Sequence, residues 1–392
     1  MNLIKLKDKL QIEHYFIKPF VMIGKIVAKF YKLKTKHGIF LVYSNADIGG
    51  STRVNIELAK CLRNKNPLII FTKKPKNNLF YQKFKDLNIA IIDLHKLIDV
   101  KSFHFINMIF RGVVSEWSQQ SNIEAIIGGE NIYFYKIIPF LDKNIKRIEI
   151  SHVDAWLNYS IGFHDLIDYR IFSTENLKKK VELQYRHCNM HKNEFEKLKF
   201  IENGIEFKAL SSTNNERMQV FFIGRGSPQK RVHLAIGIAE IIHQKQIPID
   251  FNFVGDVNNV IAINKYPYCK FYGDVFDEKS MNEIYQKTDV LLLTSAFEGL
   301  PIVIMEIMAQ GKTVVSTAVD SIPDYIVNNK NGFLIHSKKE EDIIEEGANY
   351  IIELNNKHEL RAEFGIKNQE IAREKFNLDY FCKNYNELLN TP

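Results

Sequence analysis

The chain has 392 residues, 45% of them hydrophobic and 25% charged, which is the length of about two domains with a large core and the composition of a water-soluble globular protein. Its net charge of +7 is uneven: residues 1–36 hold nine lysines (5, 7, 9, 18, 25, 29, 32, 34 and 36) against Asp8 and Glu13, so the rest is formally neutral. That excludes a nucleic-acid protein with a basic groove through its fold. The four cysteines, Cys61, Cys188, Cys269 and Cys382, are far apart and form no CxxC pair, which argues against a zinc ribbon or a thioredoxin-like centre and fits a reducing cytoplasm.

In chain order, residues 1–36 mix the lysines with Ile17, Phe20, Val21, Met22, Ile23, Ile26, Val27, Phe30 and Tyr31. No apolar run reaches the roughly 18 residues of a spanning helix, and no small-residue cleavage site follows. Two readings stand: a helix packed on the body with solvated lysines, or an interfacial helix touching anionic lipid. Pro19 marks a break in this helix or its start.

The run 39–43 reads as a buried strand, followed by Gly49-Gly50 and a helix carrying Val54, Ile56, Leu58, Ala59 and Leu62. Strand, Gly-rich turn, helix is a nucleotide-fold opening, although two glycines alone are a weak signal. Arg53 beside them is either a phosphate contact or a helix-surface charge. Strands are predicted at 67–71, 89–92, 125–127 and 148–151, with helices near 79–86 and 102–118. This alternation predicts a parallel sheet with helices on both faces. His152 follows the strand at 148–151, at the end where open α/β sheets bind ligands; a structural role for a lone histidine is the competing reading. Trp156 reads as core, with stacking on a sugar as the competing reading.

Residues 208–217, KALSSTNNER, read as a linker. A second run of strands starts at 220–223 and leads into Gly224-Arg225-Gly226-Ser227-Pro228-Gln229-Lys230-Arg231 and a helix from Val232. Gln229 stands where a dinucleotide fingerprint needs its third glycine, and no acid follows at the right spacing, so a nicotinamide enzyme fits poorly. Further strands are predicted at 251–254 and 271–275, and a helix at 278–288.

The strand at 290–293 then enters the turn Ser295-Ala296-Phe297-Glu298-Gly299-Leu300, with Pro301 as first helical residue and Gly311 ending a buried helix. The amides at such a helix start suit phosphate. Glu298 and Glu306 flank it, and carboxylates suit paired sugar hydroxyls. The plainer alternative is that Glu298 caps the helix and Glu306 is solvated. A strand at 312–319 and an amphipathic helix at 376–389 complete the chain.

Glu298-Gly299-Leu300-Pro301 through Glu306, with Asn331-Gly332-Phe333-Leu334 downstream, resembles the E-x7-E signature of retaining GT-B glycosyltransferases, especially the large family 4. Gly224-Arg225 through Lys230 resembles that family's Gly-Arg-x4-Lys pattern. The resemblance implies an α/β fold of two Rossmann-like domains facing a cleft, with a C-terminal helix crossing back to the first domain. The implied parts are a basic amphipathic segment at 1–36, an acceptor domain at 37–205, a nucleotide-sugar domain at 206–375 and the crossover helix at 376–392. It implies that Arg225 and Lys230 hold the diphosphate, that the amides of Gly299 and Leu300 beside Pro301 cradle phosphate and sugar, that Glu298 takes sugar hydroxyls and that Glu306 takes the ribose. Gly50 would approach the donor phosphates, and His152 the donor sugar. Two departures stand out: the glycine usual after the lysine is Arg231, a potential third cation, and a usual Gly-Gly turn is Asp320-Ser321.

The implied reaction moves a sugar, with retention, from a UDP- or GDP-linked donor to a saccharide or lipid-linked glycan in cell-surface polysaccharide or lipopolysaccharide synthesis. No metal and no further cofactor are expected, because fixed cations and a helix end carry the diphosphate charge; there is no Asp-x-Asp in the chain. No nucleic-acid partner is expected. The lysines of residues 1–36 suggest a cytoplasmic protein, peripheral on the inner membrane face. The alternatives are a GT-B sugar-nucleotide epimerase, or a non-catalytic partner subunit that keeps the fold.

Overall fold

A computed structural model of the chain describes residues 3–100, 104–208 and 215–391. Most of the expected linker therefore lies outside the described residues. The chain divides into two compact units, Met1–Asn203 with Asp379–Pro392, and Gly204–Leu378.

The first unit contains α1 (Leu3–Phe30), β1 (Ile39–Tyr43), α2 (Gly50–Cys61), β2 (Pro67–Phe71), α3 (Tyr81–Asp86), β3 (Ala90–Asp93), α4 (His95–Ile98), α5 (His104–Ser121), β4 (Ala125–Gly128), α6 (Ile132–Ile137), β5 (Lys146–Ser151), α7 (Leu157–Ser160), β6 (Tyr169–Phe172), α8 (Glu175–His187), α9 (Lys192–Glu196) and β7 (Leu198–Phe200). Its sheet has the order β3-β2-β1-β4-β5-β6-β7, with every pair parallel. The central strands β1, β2 and β4 are buried at every residue, as unbroken apolar runs covered on both faces should be. Across β5 and β6 the core also holds an ion pair: the fully buried Arg170 donates from Nε to Glu149 at 2.5 Å and from a terminal nitrogen to the Tyr185 hydroxyl at 2.8 Å. Tyr135 gives its hydroxyl proton to the same Glu149 at 2.5 Å. Removing one partner of such a group would leave a buried charge unmatched.

Helix α1 runs unbroken through Pro19, contrary to the break or start expected there. Pro19 lies on the exposed side, where the Tyr15 carbonyl deprived of its helical donor can turn to water. The inner stripe Ile17, Val21, Gly24 and Ala28 is buried and packs on α5. Here glycine is required by contact: a Cβ on Gly24 would lie 1.9 Å from the Ile109 carbonyl oxygen, and one on Gly112 2.0 Å from that of Val21. Glu13 is turned inward to Arg111 at 3.2 Å and to Lys136.

The second unit contains β8 (Met218–Ile223), α10 (Val232–Gln244), β9 (Ile249–Val254), β10 (Cys269–Gly273), α11 (Glu278–Lys287), β11 (Val290–Leu293), α12 (Ile302–Ala309), β12 (Thr313–Thr317), β13 (Gly332–Ile335), α13 (Glu340–Asn356) and α14 (His358–Lys375). Its sheet is β10-β9-β8-β11-β12-β13, again parallel throughout. The chain ends in α15 (Leu378–Asn390), which from Asp379 onward belongs to the first unit. There Lys146 Nζ donates to the Leu389 carbonyl at 2.7 Å. Cys382 on α15 forms a disulfide with Cys61 at the end of α2, with Cα atoms 5.1 Å apart and 321 positions between them in sequence. The expectation of separate, reduced cysteines therefore fails for this pair, while Cys188 and Cys269 are free. Among the described residues no helix is long and apolar enough to cross a membrane.

Candidate functional site

In an open parallel sheet, ligands sit beyond the carboxyl ends of the strands where the strand order reverses. In the second unit that point lies between β8 and β11, because β8 is followed in sequence by β9 on one side and in space by β11 on the other. The two loops there are Gly224–Arg231 after β8 and Thr294–Pro301 after β11, and they are fastened to each other. The Ala296 amide donates to the Gln229 carbonyl at 2.8 Å, and Gln229 Nε2 donates to the Phe297 carbonyl at 2.9 Å.

The fastening holds a charged pair. Lys230 Nζ lies 2.5 Å from Glu298 Oε1, and both side chains are about nine-tenths buried. Ser295 gives its hydroxyl proton to the same oxygen at 2.6 Å. The other oxygen, Oε2, has a long contact of 3.5 Å from Gln229 Nε2. Glu298 is thus an oriented carboxylate, with Oε1 held by Lys230 and Ser295 and Oε2 only loosely held by Gln229. Its backbone amide donates to Asp320 Oδ2 at 2.8 Å. Asp320 has φ 45°, a left-handed conformation that favours glycine and tolerates Asp. This is the position where the resembled family has its Gly-Gly turn, so the departure is joined to the site by a hydrogen bond.

Arg231, the other departure, also has a left-handed φ of 45° at the N-cap of α10. Its guanidinium donates to the carbonyls of Thr294 at 2.7 Å and Ser295 at 2.8 Å. The potential third cation is therefore engaged with the end of β11 and braces the turn. Close approach shapes the floor of the site: Gly255 has φ 121°, and a Cβ there would lie 2.0 Å from the Gly224 carbonyl oxygen. Arg225 is exposed just past β8, in contrast to Lys230.

Pro301 is the N-cap of α12, with extended ψ 129°, one residue earlier than its expected place inside the helix. Gly299 is half-buried and Leu300 buried, directly before it. Glu306, on the second turn of α12, is 3% exposed, so the solvated alternative for this residue is wrong: α12 is apolar on every side and lies inside the unit.

Gly50 and His152 belong to the first unit. Gly50 opens α2 at an exposed position after β1. His152 follows β5, and its backbone amide donates to Glu130 Oε1 at 2.6 Å; the Val153 amide joins the same oxygen at 2.8 Å. Burial pushes the His152 imidazole down to about 4, so it is neutral near pH 7. Burial pushes the Glu130 carboxyl up to about 7 against those two amides. Glu130 stands at φ 50° in the turn after β4, on the opposite side of the first unit's switch point from Gly50. Sequence reasoning passed over it; the available signal was Gly128-Gly129-Glu130 directly after an apolar run. Trp156 is half-buried and stacks on Tyr135 with centroids 6.4 Å apart, in keeping with a core role. Among the described residues there is no group of three or more metal-ligating side chains.

Two parallel-sheet, Rossmann-like units of this kind define the GT-B glycosyltransferase fold, and solved structures agree. A glycosyltransferase from Rickettsia africae ESF-5 superposes with TM-score 0.72 at 16% identity, covering 91% of this chain and 98% of that one. HepE from Anabaena, crystallised with UDP and glucose, gives 0.69 at 17% identity over 91% and 100%. Residues 205–370, most of the second unit, match the family model of glycosyl transferases group 1. A poly(ribitol-phosphate) alpha-N-acetylglucosaminyltransferase of Staphylococcus aureus is 28% identical over 179 residues, 43% of this chain and 34% of the relative. The chain spans about half or less of the length of the curated relatives it matches.

Proposed function

We propose that the chain is a retaining glycosyltransferase that moves a sugar from a UDP- or GDP-linked donor to a saccharide or lipid-linked glycan in cell-surface polymer synthesis, at the inner face of a membrane. The observation that carries the proposal is the Lys230–Glu298–Ser295 arrangement at the second unit's switch point. In this reading the buried Lys230 serves as a fixed cation for a leaving diphosphate, and Glu298, held by Lys230 and Ser295, serves as the carboxylate for sugar hydroxyls. The UDP and sugar present in the HepE crystal, and the polymer-modifying activity named for the staphylococcal relative, support the donor and acceptor classes.

In this mechanism the bond from the anomeric carbon to the diphosphate oxygen breaks, and the acceptor oxygen bonds the same carbon on the same face. A diphosphate oxygen takes the acceptor proton. Arg225 in fork geometry and Lys230 as a point charge stabilise the leaving group. Lys230 has three donors, so it can serve a phosphate oxygen while keeping Glu298 in place. The amides at Gly299 and Leu300, ahead of α12, add the helix-end field. Glu306 binds ribose hydroxyls. No metal is required, because these groups carry the diphosphate charge.

The test is thermal stabilisation by UDP, GDP and ADP without metal, on the wild type and on Arg225→Ala. A ligand that binds the native state raises the melting temperature by mass action. A shift with one nucleotide that is lost in Arg225→Ala is the expected result. No shift with any nucleotide, in a folded protein, overturns the transferase reading in favour of a non-catalytic partner subunit.

A further inference from the structure

The first unit carries a feature that sugar transfer does not use. Helix α1 is apolar on two opposite sides. Its inner stripe, Ile17, Val21, Gly24 and Ala28, is seated on α5. Its outer stripe, Ile12, Phe16, Pro19, Ile23, Ile26 and Phe30, follows helical spacing and is exposed; Phe16 is 70% and Phe30 88% exposed. A helix with one apolar stripe in the core should present a polar face outward, and contiguous exposed apolar surface of this kind marks an interaction site.

Charge identifies the partner. Lys18, Lys25 and Lys29 form a row along one flank of the outer stripe, Lys9 lies on the other, and Lys32, Lys34 and Lys36 follow in exposed positions. Of the two acids in residues 1–36, Glu13 is turned inward to Arg111 and Lys136, and Asp8 is exposed one turn before Ile12, at the N-terminal end of the outer stripe. Aromatic and aliphatic side chains bordered by lysines whose stems reach past them match a bilayer surface: rings and chains enter the headgroup boundary, and ammonium groups meet anionic lipid. A second copy of the chain fits worse, because an isologous contact would bring one lysine row toward another.

We propose that the outer face of α1 is a docking surface for an anionic membrane, and that the glycine contact with α5 mounts it rigidly on the first unit. At 28 residues the helix would lie flat over about 42 Å of the surface. Because Gly24 and Gly112 leave no room between the helix backbones, docking would set the attitude of the whole first unit, where a flexible tether would only limit its distance. The inference deepens the membrane placement proposed above and is independent of the donor site.

The test is flotation of the full chain with vesicles of phosphatidylcholine alone and of phosphatidylcholine with phosphatidylglycerol. The expected result is flotation with the anionic vesicles, weakening with salt, and little with the neutral ones. Phe16→Asp combined with Phe30→Asp should lower the partition coefficient at least about tenfold. Lys18→Glu with Lys29→Glu should remove the anionic preference by about fivefold or more per site. Unchanged melting temperatures of these exposed-site variants would establish that they fold. No flotation of the wild type, equal flotation with both vesicles, or full flotation of the Phe16/Phe30 variant would each overturn the proposal. A concentration-dependent dimer that the same variant abolishes, with no vesicle binding, would assign the face to a second copy instead. A failed nucleotide shift alongside successful flotation would refute the donor site and leave the docking surface standing.

Discussion

The Lys230–Glu298 ion pair and the donor-binding role proposed for it can be separated by substitution. Lys230→Met keeps the apolar stem and removes the charge. It leaves Glu298 with the Ser295 hydroxyl at 2.6 Å and the long Gln229 contact at 3.5 Å, in a place where its side chain is 8% exposed. Breaking a buried pair on one side costs about 3 kcal/mol. For a unit the size of Gly204–Leu378 that corresponds to a fall in melting temperature of about 6 to 12 °C. Glu298→Gln retains an acceptor for Lys230 and Ser295 and should cost less, and the double variant should recover part of the loss, giving a coupling of about 2 kcal/mol in a double-mutant cycle. Nucleotide binding should divide differently. Lys230→Met should weaken the nucleoside diphosphate by about tenfold or more through loss of a charged hydrogen bond, whereas Glu298→Gln should leave it within a few-fold and abolish transfer. Urea melts of the four proteins, with and without nucleotide, measure both. A Lys230→Met protein as stable as the wild type with zero coupling, or equal nucleotide loss in both single variants, would refute the reasoning.

Three further outcomes follow from the first unit. The His152 imidazole is held neutral, down to about 4, so its contribution to stability is present above the ordinary histidine range and is lost as pH falls through 6.5 toward 4. The Glu130 carboxyl, raised to about 7, acts in the opposite sense: its contribution is present below the ordinary carboxyl range and is lost as pH rises toward 7. His152→Asn should therefore flatten the acid limb of a melting-temperature profile, and Glu130→Gln should flatten the decline between about pH 4.5 and 7; unchanged profiles would show that neither site is desolvated as described. For the bridge, Cys382→Ser, or a thiol reductant on the wild type, should lower stability by about 2 to 4 kcal/mol, read by denaturant melts that follow the first unit; equal melts with and without reductant would show that the two sulfurs are not bonded.

Much of the fold was legible in the chain. Strands β1, β2, β8 and β11 are written as short, mostly apolar runs, and their alternation with helices points to two parallel sheets, because a strand buried on both faces needs helical cover. The place of the candidate residues in the second unit was legible for the same local reason: Lys230 and Glu298 sit in the turns that follow two such strands, and the turn motifs stand in contiguous sequence. What tertiary structure alone decided are the pairings that cross long stretches of chain. The Cys61–Cys382 bond spans 321 positions, and Glu130 reaches the amides of His152 and Val153 across a strand. Arg231 and Asp320 look like lost glycines in sequence, yet each takes a left-handed conformation and turns its side chain into a brace for the β11 loop. Residues 1–36 left open a packed helix or a lipid-facing one. Helical periodicity alone cannot say which of two apolar stripes meets the protein; the backbone contact at Gly24 and Gly112 seats one and leaves the other, with its lysines, facing outward.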